Sequence, residues 1–294
     1  MLEKWKQIKA DFALLCVAFI WGTTFVVVQN ALSGIGPFYF NGIRFMIAFL
    51  FLAAIFWKRI REITLPALKT GAFIGIFLFG GYAFQTIGLQ YTGAANAGFI
   101  TGLSVVLVPV FSALLSRRYP KINTLVGVTC ATAGLMLLTL SNNLAINTGD
   151  LFCFLCAICF GLHIILVGKL AVHFDSPTMA ILQIGTVSVI SFLCAVFLEP
   201  FPTYFTKPVW IAFIITAIPA TSLAFLIQNT VQKYTSPTHT AIIFTTEPVF
   251  AALTAFVFTT QVLSLKQWLG CLLILAGMLV SELKLESVFK QIEN

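Results

Sequence analysis

Apolar runs of roughly twenty residues follow one another along almost the whole chain, with only a few residues between them. A helix rises about 1.5 Å per residue, so a run of about 20 apolar residues matches the hydrocarbon core of a bilayer. Ten segments meet that description. The first five are Asp11–Gln29, Gly36–Trp57, Ala67–Leu89, Ala94–Leu115 and Thr124–Leu140. The second five are Gly149–Leu170, Pro177–Leu198, Pro208–Thr230, Pro237–Thr259 and Leu265–Leu283. Backbone groups facing hydrocarbon must pair within their own segment, which selects helices. Composition points the same way: 59% of the 294 residues are hydrophobic and 9% are charged, whereas a soluble domain carries about 25% charge. The expected fold class is all-α integral membrane, with ten transmembrane helices, a lipid bilayer around them and no soluble domain.

The first run has a competing reading. Lys4, Lys6 and Lys9 precede it, and Ala31-Leu32-Ser33 resembles a cleavage site. A signal peptide's apolar region is about 7–15 residues long, and the run from Phe12 to Val28 is longer, so it reads as a first span.

Charge sets the orientation. The net charge of +7 does not indicate a nucleic-acid partner, because the cations sit in the gaps between spans. With the amino terminus inside, fourteen cations fall on the inner side: Lys4, Lys6, Lys9, Lys58, Arg59, Arg61, Lys69, Arg117, Arg118, Lys121, Lys169, Lys233, Lys284 and Lys290. Only Lys207 and Lys266 fall outside, and Arg44 lies within a span. Inner loops of membrane proteins are enriched in Lys and Arg, so both termini are expected to be cytoplasmic.

The chain is also duplicated. DFALLCVAFIWG from Asp11 matches DLFCFLCAICFG from Asp150, with Asp, Ala and Gly in register. Gln85 and Tyr91-Thr92 match Gln228 and Tyr234-Thr235; Gly127 and Gly134 match Gly270 and Gly277. The units are residues 1–143 and 144–294. Each holds an odd number of spans, so the two copies face opposite ways. Inverted repeats of this kind belong to transporters that expose a midplane site to each side in turn.

WGTTF in the first span, the Pro37 to Arg44 stretch, EPVFAAL in the ninth span and LGCLLILAGMLV in the tenth resemble the drug/metabolite transporter superfamily, in particular its EamA-like transporter family. The resemblance covers essentially the whole chain. It implies a helical bundle around a central cavity, export of small metabolites, and fifth and tenth helices at the periphery.

Glu247 is the sharpest single residue. It lies about 11 residues, hence about 16 Å, into the ninth span. An ionisable group at that depth costs several kcal/mol unless paired, hydrated or neutralised, and marks function by default. Pro248 removes a backbone hydrogen bond one turn back, which is tolerated where a helix lines a polar cavity; Thr245 and Thr246 are placed to meet the released groups. In the first copy the equivalent pair is Val108-Pro109, so Pro109 keeps the kink while the acid is absent. Two readings stand level: a proton-titrating or cation-binding group in the cavity, or a buried carboxyl that holds helices together. The resemblance favours a shared mechanistic or structural role over substrate recognition.

Arg44 lies about 12 Å into the second span. It reads as a counter-charge for an anionic substrate group or, more simply, as a brace to helix carbonyls; the second copy has no cation near the matching Gln183 and Ile184. His163 aligns with Thr24 and reads as an interhelical hydrogen bond or as a pH-sensitive cavity group. Trp21, Tyr82, Gln85 and Asn96, with Gln228 and Thr245, are further candidate lining residues; rings with a few polar groups suit an amphipathic solute. Helix capping accounts for Asp11 and Asp150, and interfacial solvation for His239. Cys153, Cys156 and Cys159 spell C-x-x-C-x-x-C, but residues at that spacing drift around a helix and do not converge on a cluster. All seven cysteines lie in apolar runs and read as small packing residues. Gly71-x-x-x-Gly75 and Gly98-x-x-x-Gly102 read as close-approach motifs.

No nucleotide loop, metal cluster or nucleophile triad is legible, and no cofactor or metal is expected. One Glu, one Arg and one central His are too sparse for an enzyme, which needs converging acid, base and electrophile. The expectation is a secondary transporter, monomer or homodimer, in the plasma membrane (a bacterial inner membrane), exporting small metabolites such as amino acids with proton exchange as the energy source. Its alternative is efflux of lipophilic cations in a multidrug antiporter.

Overall fold

The computed structural model of the chain describes residues 2–117, 119–139, 147–258 and 264–282. Its fifteen α-helices are α1 Leu2–Gly22, α2 Phe25–Ala31, α3 Pro37–Ile55, α4 Trp57–Ile60, α5 Leu65–Tyr91, α6 Ala94–Gly102, α7 Ser104–Ser116, α8 Ile122–Thr139, α9 Thr148–Lys169, α10 Ser176–Leu198, α11 Lys207–Ala217, α12 Ala224–Val231, α13 Pro237–Phe244, α14 Glu247–Phe258 and α15 Leu265–Glu282. No strand occurs among the described residues. Several pairs are single spans with a break: α1 with α2, α6 with α7, and α11 with α12. Counted so, seven helices are long and apolar enough to cross a membrane, and α8 and α15 are shorter apolar helices. Arg118, Lys284, Lys290 and the boundary between the two expected units lie outside the described residues.

Local chemistry starts the helices where the sequence places them. Proline stands in the first turn of α3, α5, α10, α11 and α13, where its missing N–H costs nothing. Side chains at the position before the helix accept its orphan N–H groups: Thr64 from Ala67, Asp175 from Thr178 and Ser236 from His239. Asn147 and Asp150 form a reciprocal capping box at α9, as expected for Asp150. At α3 the cap comes from a distant helix. Glu199, just past the end of α10, accepts from Phe38 N at 2.7 Å and Tyr39 N at 2.9 Å.

Packing rests on small residues, as it must where lipid tails offer no hydrophobic advantage. α8 pairs with α15, α5 lies between α9 and α10, α3 runs along α10, and α1 packs on α12, α13 and α14. Along α8 and α15 the matched glycines meet. A Cβ on Gly127 would stand 2.8 Å from the Gly277 carbonyl, and one on Gly134 2.7 Å from the Gly270 carbonyl. The first glycine of one helix faces the second glycine of the other, so the two helices run antiparallel. On the α5–α9 seam Cys159 fills the space beside Gly80 and Cys153 that beside Gly88. Gly71 and Gly75 admit Leu182 and Thr186 of α10. The Gly98-x-x-x-Gly102 expectation is corrected in part: Gly102 meets Leu135, but Gly98 has nothing within 4 Å of a Cβ position.

The bundle has two ends of different character. At one end the close of α2, the close of α5 and the start of α9 meet through Gln29, Thr92 and Asp150. At the other end Arg59 pairs with Asp175 at 3.1 Å, and Gln232 reaches the Ile164 carbonyl at 2.6 Å. Lys58, Arg59, Arg61, Lys169 and Lys233 all flank this second end.

Candidate functional site

Two of the helix breaks share a chemistry. After α1, the Thr23 and Thr24 hydroxyls donate to the carbonyls of Ile20 and Trp21, at 2.7 and 2.8 Å. After α13, the Thr245 and Thr246 hydroxyls donate to Ile242 and Ile243, at 2.6 and 2.7 Å. Each hydroxyl satisfies a carbonyl three residues back, so the chain can stop and restart a helix away from water. Pro248 then occupies the first turn of α14, where it lacks the N–H that would bond Phe244. The threonines thus serve Ile242 and Ile243 and not the Phe244 carbonyl that Pro248 releases, a correction to the simplest reading of the motif. The breaks touch: a Cβ on Gly22 would stand 2.5 Å from the Glu247 carbonyl oxygen.

Between these breaks lies a cavity open to solvent, whose empty space is about 840 Å³ with the open solvent included. Glu247, Trp21, Tyr82 and Gln85 are on its wall, and so are His163, Gln228 and Thr245. Arg44 and Pro248 also reach it. Sequence reasoning had not singled out the rings of Phe25, Phe160, Phe225 and Phe244, which complete the lining. The chain holds 30 phenylalanines, and nothing in their spacing distinguishes these four. Pro109 is buried within α7 and is not part of the wall. Asn96 belongs to α6, but its side chain lies outside the described residues. The wall extends from mid-bundle, at Glu247, toward the end where α2 and α5 close, at Val28 and Leu89. Glu247 is half-buried there, and among the described residues its carboxyl makes no ion pair.

Arg44 is held at a local widening of a helix. Between α11 and α12 the residues Ile218–Leu223 form a π-turn, a feature frequent at functional sites. Thr221 and Ser222 hydroxyls donate five residues back, to Thr216 and Ala217, at 2.8 and 2.9 Å. The turn leaves the Ala220 carbonyl facing inward, where it accepts from Trp21 Nε1 at 2.8 Å and Arg44 Nη2 at 3.4 Å. Arg44 Nε donates to Thr221 Oγ1 at 2.8 Å. The guanidinium carbon lies 4.9 Å from the Tyr82 ring centre and 5.4 Å from that of Phe45, within the range of a cation–π contact.

His163 belongs to a chain of amides. Asn229 Nδ2 donates to the Phe225 carbonyl at 2.9 Å, and that carbonyl fixes the orientation of everything upstream. Asn229 Oδ1 then accepts from Gln183 Nε2 at 2.8 Å, and Gln183 Oε1 faces His163 Nε2 at 2.9 Å. A carbonyl oxygen can only accept, so His163 carries its proton on Nε2. The interhelical hydrogen bond is therefore realised, on a residue that also reaches the cavity.

Below the cavity the bundle closes. Gln228 Nε2 donates to Gln232 Oε1 at 3.0 Å, while Gln228 Oε1 is buried without a partner. Further down, His239 Nε2 lies 3.3 Å from Asp11 Oδ1, with side chains 9% and 14% exposed, and Ser281 Oγ is 3.4 Å from His239 Nδ1. Two expectations are corrected here. Asp11 sits in the middle of α1, not at its cap, and His239 is buried against it, not solvated at an interface. Among the described residues no group of three His, Cys, Asp or Glu could hold a metal ion. Cys156 is buried, with its Sγ 3.7 Å from Thr101 Oγ1.

Comparison with known proteins bears on this arrangement. A model of the EamA-like transporter family matches the chain twice, over residues 8–140 and 147–283. A protein of Archaeoglobus fulgidus named as an uncharacterized transporter is 37% identical over 284 residues, covering 95% of this chain and 87% of its own. The uncharacterized transporter YvbV of Bacillus subtilis is 25% identical, covering 92% of each chain. A solved crystal structure superposes with a TM-score of 0.78 at 20% identity, over 93% of this chain and 96% of that one, which relates the folds alone.

Proposed function

The chain belongs to the EamA-like transporter family, and on that premise we propose that it is a secondary transporter exporting small amphipathic metabolites such as amino acids, with proton exchange as its energy source. Its apolar helices and its family make it a multi-pass membrane protein. The plasma membrane of a bacterium-like cell is the setting proposed for it.

The observation that carries the reading is the Glu247 carboxyl. It faces the cavity at the junction of two broken helices, with no cation within ion-pair distance among the described residues. A carboxyl so placed is free to exchange a proton with whatever enters. Units 1–143 and 144–294 act as inverted halves; the antiparallel meeting of matched glycines on α8 and α15 supports this. Joined across their breaks, the helices make ten crossings with both termini at the cation-rich, cytoplasmic end. The cavity then faces outward, closed below by Gln228, Gln232, Asp11 and His239.

The test uses the purified full chain in liposomes with an imposed pH gradient and labelled leucine as the first probe of a solute panel. Gradient-driven accumulation by wild type and its loss in Glu247→Gln, with solute exchange retained, is the expected result. Undiminished, pH-independent accumulation by Glu247→Gln overturns proton coupling. A second reading has its own support: one carboxyl among Trp21, Tyr82, Phe160, Phe225 and Phe244 also suits a lipophilic cation. Tetraphenylphosphonium transport in place of leucine transport would establish that alternative.

A further inference from the structure

We propose that Arg44 is a carboxylate subsite: it takes the anionic end of a small organic acid or zwitterion whose apolar body lies among the rings of Trp21, Tyr82 and Phe225. The inference rests on the transport reading above and names the substrate class for the same cavity.

Three observations converge on it. Arg44 is 3% exposed yet reaches the cavity wall, and among the described residues no carboxylate lies within ion-pair distance of it. A guanidinium stays charged at any accessible pH and offers five N–H donors. Two of them bond the π-turn, from Nε to Thr221 and from Nη2 to Ala220, and the Tyr82 side chain takes a further hydrogen bond. Thr221 and Ala220 belong to the π-turn, so one edge of the guanidinium is fixed, and two of the five donors remain beyond these three bonds. A planar, charged fork with donors to spare matches a carboxylate better than any other common solute group.

The second half of the chain shows what a brace at this place looks like. Near the position that matches Arg44 stands Gln183, fully buried, with its amide oxygen on His163 and its amide nitrogen on Asn229. It is neutral and both its ends are used. Arg44 differs on both counts, carrying a charge with no carboxylate within ion-pair distance among the described residues. Tyr82 lies within cation–π range of the guanidinium and hydrogen-bonds it, which holds it at the wall. Gln228 Oε1, buried without a partner on the same cavity, offers an acceptor for an N–H of the solute, and the Glu247 carboxyl offers a second. An acid with an amino group meets all three; an acid without one still meets Arg44.

The experiment measures binding to the detergent-solubilised full chain by tryptophan fluorescence and thermal shift. Four probes share one apolar body: leucine, leucinamide, 4-methylpentanoate and 3-methylbutylamine. Wild type is expected to bind the two carboxylates at least about tenfold more tightly than the two that lack one, the loss of a charge-assisted pair. Arg44→Gln is expected to bring all four to within about threefold of one another. Arg44→Lys, which keeps charge but not the fork, is expected to fall between. Equal binding of leucine and leucinamide by wild type, discrimination kept in Arg44→Gln, or no carboxylate binding at millimolar concentration would each overturn the subsite. Transport of these probes in liposomes separates the two readings. Carboxylate-selective binding without any flux defeats the transporter and spares the subsite; flux indifferent to the carboxylate does the reverse.

Discussion

Gly22 and Glu247 touch through their backbones: a Cβ on Gly22 would stand 2.5 Å from the Glu247 carbonyl oxygen and 2.9 Å from Phe250 Cβ. The matching contact in the other half is looser, with Gly161 placing a Cβ 3.5 Å from Val108 and 3.9 Å from Phe111. Gly22→Ala therefore forces the two breaks apart, at an overpacking cost of about 1–3 kcal/mol. Its transport is expected to fall at least about tenfold with a lowered melting temperature. Gly161→Ala meets only ordinary contacts, removes a helix glycine worth about 1 kcal/mol, and is expected to melt at or above wild type. Melting curves and leucine flux on both variants check the pair.

The Asp11–His239 pair joins α1 to α13 below the cavity. Neither Asp11 oxygen has another hydrogen bond, so His239→Leu strands a buried carboxylate, a loss of about 3–5 kcal/mol in soluble proteins. The single variant is expected to melt several degrees lower, and Asp11→Asn added to it to restore most of the loss. A double-mutant cycle on melting gives the coupling; additive effects would show that the two side chains do not act together.

Glycines on α8 and in the cavity are expected to respond oppositely. Gly134→Leu drives a side chain into the Gly270 carbonyl and Ile274 and should separate α8 from α15, seen as a lost cooperative melt. Gly98→Ala meets nothing within 4 Å. It should leave melting unchanged and raise KM for bulkier solutes of the panel, because its methyl enters the cavity.

Asn229→Leu removes the anchor of the amide chain. Gln183 then loses its acceptor, and a buried donor left unpaired costs about 1–3 kcal/mol. Melting should drop accordingly, and the His163 ring should lose its fixed tautomer, read by nitrogen chemical shifts of labelled histidine. Unaltered shifts would disconnect His163 from Asn229.

Spans, duplication and the polar lining were legible because each leaves a local mark. Twenty apolar residues, a repeated glycine spacing or a lone acid in hydrocarbon need no partner to be noticed. What escaped depends on long-range pairing. Asp11 looks like a helix cap until His239, 228 positions away, is seen against it. Nothing in the sequence around Glu199, past the end of α10, marks it as the acceptor that holds the start of α3. Phe160 and Phe225 differ from other phenylalanines only in what they face. Arg44 does reach a helix carbonyl, as the brace reading expects, but the π-turn that presents Ala220 and Thr221 to it has no sequence mark.

The π-turn also settles a small discrepancy between the halves. Gln85 follows Pro66 by 19 positions, whereas Gln228 follows Pro208 by 20. One extra residue in an unbroken helix would swing everything after it by about 100°. The wide turn at Ile218–Leu223 swallows that insertion, so the second glutamine still comes round to the same wall as the first. Deleting a single residue there would restore an ordinary helix with Gln228 on the same wall, as Gln85 is in the first half, and would take from Trp21 and Arg44 the Ala220 carbonyl they now share.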